Sequence, residues 1–256
     1  MPSILITNDD GVDAPGIEVL HRIVENRFGD AFDVVVVAPD RGRSECGHGV
    51  TNSRGLRVDQ VRTGWFAVDG LPVDCVRVGL NAIADDVAMT FSGINAGANL
   101  GVDLMVSGTM AAARESAIRG IPSMAVSHYR HPDVPKSWDH CDQWIEPILN
   151  EFARAAASQF GTRIIPPDDE PVQTEAGILW NVNFPAIDPT GPAPTLIRCP
   201  VDRLPMRSRA TVIDGVYRSE TDFHGRPRAA GTDVDCCFSG NMTLSVVSPA
   251  IETVNR

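Results

Sequence analysis

The sequence predicts an α/β fold: a doubly wound, mostly parallel sheet (Rossmann-like) with a C-terminal β-hairpin or arm extension. Three observations carry this expectation. Runs such as Ile4-Leu5-Ile6 and Val34-Val35-Val36-Val37 are continuously apolar, as strands covered on both faces must be. They alternate with stretches in which apolar residues recur at helical spacing, the pattern that builds parallel sheets with crossover helices. Beyond about residue 160 the alternation ends, and prolines, glycines and short β-rich pieces dominate. The 256 residues suffice for one large core with an appendage. The division expected is a catalytic core over 1–186 and an oligomerisation arm over 187–256 packed on it.

The elements follow in order. Ile4 to Ile6 make the first strand. Ile17, Leu20, Ile23 and Val24 mark a helix from Pro15 to about Phe28, with the proline in the first turn, where its missing N–H costs nothing. Asp33 to Ala38 form the second strand. Residues 51 to 69 hold one or two short strands, Trp65 to Val68 the clearest. Pro72 opens a helix through Val76 and Leu80, and Ala88 to Ser92 form the next buried strand. Ser107-Gly108-Thr109 begin a helix to 119, whose alanine run favours it. Ser123 to Ser127 read as a strand, and 138 to 159 as a long helix with Trp138 and Trp144 in its core face. Segment 161 to 175 is a Pro- and Asp-rich loop, and Ile178 to Pro185 return to the sheet. Cys236 and Cys237 are expected on a strand, facing opposite ways.

Composition excludes several classes of function. The net charge is −11, with 22 Lys and Arg scattered against 33 acids. Binding to polymeric nucleic acid needs clustered cations that displace counterions, so no such partner is expected. No apolar stretch is long enough to span a bilayer, and no export signal is recognisable, which points to the cytoplasm. The six cysteines form no CxxC pair and share no spacing. Free thiols in a reducing compartment are expected, without a zinc site.

The chemistry gathers in three polar loops that each follow an apolar strand: Asn8 to Gly11, Pro39 to Gly49 and Gly93 to Gly101. In a parallel sheet these loops share one edge, where open α/β sheets build their sites. Asp9, Asp10, the Ser44 hydroxyl and the Asn95 side-chain carbonyl form a hard oxygen set suited to one divalent ion, Mg²⁺ or Mn²⁺. Adjacent carboxylates are costly to leave ionised without a cation, although Asn-Asp-Asp-Gly also suits an ordinary polar turn. Ser107, Gly108 and Thr109 present free N–H groups at a helix start, a cradle for an anion, and Asn99 is placed to donate an amide to it. For Ser107 and Thr109 the plainer alternative is helix capping.

These blocks resemble, in order, those of the SurE family. Asn8-Asp9-Asp10-Gly11 with Ala14-Pro15-Gly16, Ala38-Pro39-Asp40-Arg41 with Arg43-Ser44, Ser92-Gly93-Ile94-Asn95-Ala96-Gly97 with Asn99-Leu100-Gly101, and Ser107-Gly108-Thr109 with Ala111-Ala112-Ala113 carry the likeness. Gly70 to Cys75 resemble the family's GTPxDC segment, Asn181-Val182-Asn183 its NVN strand, and Gly231-Thr232-Asp233 its GTD element. The resemblance implies a metal-dependent 5′/3′-nucleotidase or acid phosphatase acting on nucleoside monophosphates. Asp9, Asp10, Ser44 and Asn95 would then be metal ligands, with Asp9 and Asp10 catalytic. Asn99, Ser107, Gly108 and Thr109 would hold phosphate. It also implies a homodimer or homotetramer, assembled through the C-terminal hairpin and an exchanged arm. A nucleoside N-glycosidase, which also uses an N-terminal aspartate cluster, and a noncatalytic nucleotide-binding relative are the alternatives.

The loop Glu45-Cys46-Gly47-His48 departs from the family pattern, and Gly42 stands where Asn is common. Glu45 is expected to extend into solvent, because long charged chains seldom stay buried unpaired. His48 is expected to be solvated, while Arg41 and Arg43 suit either a phosphate or a structural ion pair. His128, His131 and His140 lie in a polar, Pro-containing stretch and are expected at the surface.

Overall fold

Each apolar run becomes a strand of one sheet. The computed structural model describes residues 1–44, 46–160 and 176–250. The strands are β1 (Ser3–Thr7), β2 (Asp33–Pro39), β3 (Val58–Arg62), β4 (Trp65–Val68), β5 (Val87–Asn95), β6 (Ser123–His128), β7 (Leu179–Phe184), β8 (Leu196–Arg198), β9 (Ser208–Ile213), β10 (Val216–Thr221) and β11 (Met242–Val246). The helices are α1 (Pro15–Phe28), α2 (Pro72–Val78), α3 (Gly108–Ile118), α4 (Cys141–Phe160) and α5 (Asp233–Phe238). Among the described residues the main sheet has the order β3-β4-β2-β1-β5-β6-β7-β11-β8. All its pairings are parallel except β3 with β4 and β7 with β11. The chain moves outward from β1 through β2 to β4, then returns to the other side of β1 with β5. Loops leaving β1 and β5 therefore diverge at a topological switch point, the position at which such sheets open a crevice.

The continuous apolar runs are explained by two cores, one on each face. Ile4, Ile6 and Val36 pack with Ile17, Leu20 and Val24 of α1 and with Ile145, Leu149 and Phe152 of α4. Leu5, Val37 and Val68 point the other way, against Cys75 and Val76 of α2 and Ala112 of α3. Alternate residues of one strand thus serve opposite cores, as the pleat requires. In α3, Ala111, Ala112, Ala113 and Ala117 are fully buried; their small side chains let the helix lie close between the sheet and its neighbours.

Several boundaries differ from the expectation. The helix after Pro72 ends at Val78 and continues as a π-type turn over Gly79–Ile83. The long helix starts at Cys141, and Trp138 lies before it, half-buried, because a turn held by Ser137 and Asp139 precedes the helix. Trp144 is buried in the core as expected. Cys236 and Cys237 lie in α5 rather than on a strand; Asp233 and Asp235 in its first turn suit the positive end of a short helix. His128 and His140 are buried, not at the surface. The expected loop over 161 to 175 lies outside the described residues.

The segment after β7 contributes β8 and β11 to the main sheet, whereas β9 and β10 form a separate two-stranded antiparallel hairpin. Every residue of that hairpin is exposed. Among the described residues no helix is long and apolar enough to cross a membrane.

Helix α1 approaches the end of β5 closely at Gly16, where a Cβ would stand 1.9 Å from the Ile94 carbonyl oxygen and 3.1 Å from Trp138 Cη2. Gly16→Ala is expected to destabilise the protein by about 1–3 kcal/mol or more, the range for overpacked contacts. Urea denaturation measures this; an unchanged midpoint would contradict the packing described.

Candidate functional site

The first loop is shaped by Asn8, whose side chain accepts from the Gly11 N–H (3.2 Å) and donates to the Gly11 carbonyl (2.8 Å). This clasp turns the chain immediately after β1 and leaves Asp9 and Asp10 side by side at the strand end. Val12 N–H donates to the Pro39 carbonyl and Arg43 N–H to the Asp9 carbonyl (2.7 Å), so the loop after β2 is stitched to the first by its backbone. The third loop joins through the Ala96 N–H, which donates to Asp10 Oδ2 at 3.0 Å. The three loops share the sheet edge that the sequence predicted.

Asp9 is almost wholly buried. Burial pushes its carboxyl up to about 6, against the pull of donors from Thr109, and the neighbouring Asp10 pushes further in the same direction. Asp10 is also raised, chiefly by burial, with the Ala96 N–H opposing. The N-terminus of α3 abuts Asp9: a Cβ on Gly108 would lie 2.8 Å from Asp9 Cβ and 3.0 Å from both Asp9 Oδ2 and Cys46 Sγ. Glycine at 108 therefore allows the helix to end on the carboxylate.

A buried relay fixes this contact. Thr109 Oγ1 donates to Asp9 Oδ1 at 2.6 Å. Asn99 Nδ2 donates to Thr109 Oγ1 (3.2 Å) and to Ser127 Oγ (2.8 Å). The Asn99 backbone is clamped in turn, its N–H by Asn183 and its carbonyl by the amides of Asn181 and Asn183. Asn99 was expected to donate to an anion, yet both of its amide hydrogens meet protein groups in this arrangement. Ser107 caps α3, its Oγ accepting from the Met110 N–H at 3.0 Å.

Asn95, the last residue of β5, donates Nδ2 to the Gly97 carbonyl at 2.9 Å. A break in register between Ser92 and Asn95 re-aims the strand end. Gly93 permits it with φ of +135°, and a Cβ there would stand 2.2 Å from the Val126 carbonyl oxygen. Ser44 lies exposed in the turn beside Arg43. Glu45 lies outside the described residues. Arg43 pairs with Asp40 at 2.7 Å, which fits the structural ion pair, whereas Arg41 meets Asp40 only at 3.4 Å, is 70% exposed and lines the cleft beside the loops. A cleft of about 500 Å³ opens beside the loops, lined by Asp10, Gly11, Gly16, Asp40, Ala96 and Trp138 among others.

His48 is not simply solvated: its Nε2 lies 3.0 Å from Glu115 Oε2. Glu115, buried in α3, also accepts from Arg77 and Arg119. Hydrogen bonds from His48 and both arginines outweigh burial and hold its carboxyl down at about 2. Glu115 thus anchors the loop carrying Ser44 to the helix that carries Thr109. Sequence reasoning missed it; the signal available was the helix's one acid, following a run of alanines and Arg114. Cys46 was also missed as a neighbour of Asp9. Its thiol is raised by burial and by the Asp9 charge.

The donor set is carboxylate, hydroxyl and amide oxygen, with no thiolate or imidazole among the predicted ligands. Such a set suits a hard divalent cation, and an acid pair with raised pKa values, Asp9 buried and Asp10 partly so, is the charge distribution a cation would relieve. Beside it lies the N-terminus of α3, whose dipole favours an anion, with the Ser107 N–H on the Asp103 carbonyl and the Thr109 N–H on Asp9.

Comparison with known proteins agrees with this arrangement. The family model described as survival protein SurE matches residues 4–200. A putative 5′-nucleotidase of Nostoc sp. (strain PCC 7120 / SAG 25.82 / UTEX 2576) is 35% identical over 95% of this chain and 98% of the relative. A 5′-nucleotidase SurE of Paramagnetospirillum magneticum is 35% identical over 94% of this chain and 88% of its own. The crystal structure of the SurE protein from Aquifex aeolicus superposes with a TM-score of 0.72 at 26% identity, covering 98% of this chain and 95% of that one. With its acid pair, its bulged third loop and its helix start in the matched region, the chain belongs to the SurE family.

Proposed function

We propose that the protein is a metal-dependent phosphomonoesterase that hydrolyses nucleoside 5′- or 3′-monophosphates to nucleoside and phosphate. Relatives named as 5′-nucleotidases across nearly the whole chain support this reading over glycosidic cleavage. The observation that carries it is the buried Asp9 carboxylate, held beside Asp10 and against the N-terminus of α3.

In this reading Asp9, Asp10, Ser44 and Asn95 hold one Mg²⁺ or Mn²⁺ ion. The ion would neutralise phosphoryl charge and acidify water. The protein does the rest. At the Ser107-Gly108-Thr109 turn the Ser107 N–H donates to the Asp103 carbonyl and the Thr109 N–H serves Asp9. The Gly108 N–H is therefore the backbone donor offered to a phosphoryl oxygen, and the α3 dipole favours its charge. Asn99 occupies Thr109's acceptor side, so that the Thr109 hydroxyl hydrogen stays on Asp9 and keeps that carboxylate oriented. Asp9 and Asp10 orient the attacking water in line with the ester bond. A new O–P bond forms from the water oxygen as the bond to the nucleoside oxygen breaks, and the proton that the water gives up balances the one that the leaving oxygen takes. The six free thiols suit a cytoplasmic setting.

The extension after residue 186 is proposed to make a homodimer or homotetramer through the β9–β10 hairpin. Val212, Ile213, Val216 and Tyr217 are exposed there, each more than half. A lone two-stranded hairpin is marginal in water without a surface to cover it.

Asp9→Asn preserves shape and removes one charge. Phosphate release from 5′- and 3′-mononucleotides is expected to fall about a hundredfold or more, the loss of several kcal/mol of transition-state stabilisation. Chelation of the wild type should do the same. Near-normal turnover by the folded variant would overturn the mechanism.

The same variant has a stability signature. In chelator-treated wild type the folded Asp9 titrates at about 6, above its unfolded value of about 3.9. The folded state then binds the extra proton, so stability falls as pH rises through that window and stays low above it. The total is about 3 kcal/mol. In chelator, Asp9→Asn should match wild type near pH 4 and exceed it by up to about 3 kcal/mol at pH 8, as read by urea denaturation. A variant less stable at pH 8 would contradict the burial argument.

Replacing residues 208–221 by a short Gly-Ser linker should lower the oligomeric state measured by light scattering. A full-length protein that is already monomeric would overturn the proposed assembly.

A further inference from the structure

Three side chains outside the catalytic loops converge in a way the nucleotidase reading does not use. His128, the last residue of β6, sits with His140 and Cys141 at the start of α4, with one potential ligand atom of each within 4.8 Å of the others. Their exposures are 3%, 8% and 0%. His128 Nε2 and His140 Nε2 face each other at 2.7 Å. Trp138 and Phe184 meet the His128 ring edge-on and Trp144 meets it tilted, each at about 6 Å, and they wall the group on these sides.

Hydrogen bonding assigns the tautomers. His128 Nδ1 lies 2.9 Å from the Tyr129 carbonyl and must carry its hydrogen there, so its Nε2 holds a lone pair. The His140 Nε2–H then donates to it. His140 Nδ1 is buried with no hydrogen-bond partner among the described residues, so its lone pair is free to take up a proton. Burial, aided by the Arg130 charge, keeps both imidazoles neutral, the form that binds metals. Burial also raises the Cys141 thiol to about 12, but coordination by a cation deprotonates a thiol outright.

We propose that His128, His140 and Cys141 form a buried His₂Cys site for a thiophilic closed-shell cation, and that the ion is monovalent copper. The thiolate is a soft donor and imidazole suits copper as well as zinc, unlike the oxygen set around Asp9, so the two sites select different metals. The balance of charge chooses the ion. On binding, the cation replaces the proton between the two Nε2 atoms. That proton moves to His140 Nδ1, and the Cys141 thiol proton leaves to solvent. One Cu⁺ enters and one H⁺ departs, and the buried charge is unchanged. Zn²⁺ would add a net positive charge beside Arg130, at a cost in a low-dielectric interior. Zn²⁺ in closed sites also wants four ligands, and no fourth His, Cys, Asp or Glu atom joins this group among the described residues. The two Nε2 atoms, 2.7 Å apart, need to separate by roughly 0.8 Å to share a trigonal ion at about 2.0 Å from each.

The test uses the full-length protein under anaerobic conditions. Cu⁺ is offered from a chromophoric competitor, and Zn²⁺ is offered likewise in a parallel arm. One Cu⁺ per chain is expected, held more tightly than Zn²⁺. Cys141→Ser and His140→Gln should each weaken it by more than the ~100-fold that loss of an outer-shell partner costs. Cys46→Ser should leave it unchanged. X-ray absorption of the wild-type copper complex, which needs no variant to fold, should give one sulfur and two nitrogen neighbours. A two-sulfur shell, uptake indifferent to Cys141→Ser and His140→Gln, tighter binding of Zn²⁺ than of Cu⁺, or no uptake would each overturn the proposal.

Discussion

The site depends on one contact: the Asp9 carboxylate buried against the first turn of α3. A carboxylate at that depth is expensive to ionise, and the protein offsets only part of the cost, through Thr109 and the helix end. The remainder is a standing attraction for a cation. Much of the surrounding structure maintains this contact. Gly108 leaves room for the helix to reach the acid. Asn99 directs the Thr109 hydroxyl, and Asn181 and Asn183 of β7 hold Asn99 in place. The NVN strand thereby bears on Asp9 through two intermediaries, Asn99 and Thr109.

An acidic protein that receives a phosphate must find positive potential without a basic patch. Arg43 is engaged with Asp40, and Arg77 and Arg119 with Glu115. Beside these stand the N-terminus of α3, the cation that the acid pair invites, and the exposed Arg41 at the cleft. This division explains why the charged side chains around the site mostly brace loops. The His48–Glu115 contact ties the Ser44 loop to α3, so the proposed ligand and the anion cradle are positioned from the same helix.

Much of this was legible in the sequence because it is local. Asn8-Asp9-Asp10-Gly11 must turn, since Asn and Gly suit αL and turn geometry and the preceding run is a buried strand. Ser107 must cap, and Pro15 must open a helix. The misreadings share a cause. His128 and His140 occupy a polar, Pro-containing stretch, which reads as surface, yet β6 and α4 carry them into the aromatic core. Cys236 and Cys237 lie in a segment of weak propensity, where packing of α5 against β11 decides the conformation. Trp138 reads as helix because its neighbours do, but the Ser137–Asp139 turn holds it outside.

The sequence by itself determined the alternation of strands and helices, the loops that end at one sheet edge, and the residue types those loops present. These follow from periodicity and from turn and cap chemistry, which act over a few residues. Only the tertiary structure decided how deep Asp9 lies, that Asn99 spends its amide on Thr109 and Ser127, and that Glu115 receives His48 across 67 positions. It alone brought His128 to His140 and Cys141. Burial and long-range hydrogen bonding depend on which elements pack together, and no local pattern encodes the partner of a side chain that lies on another element.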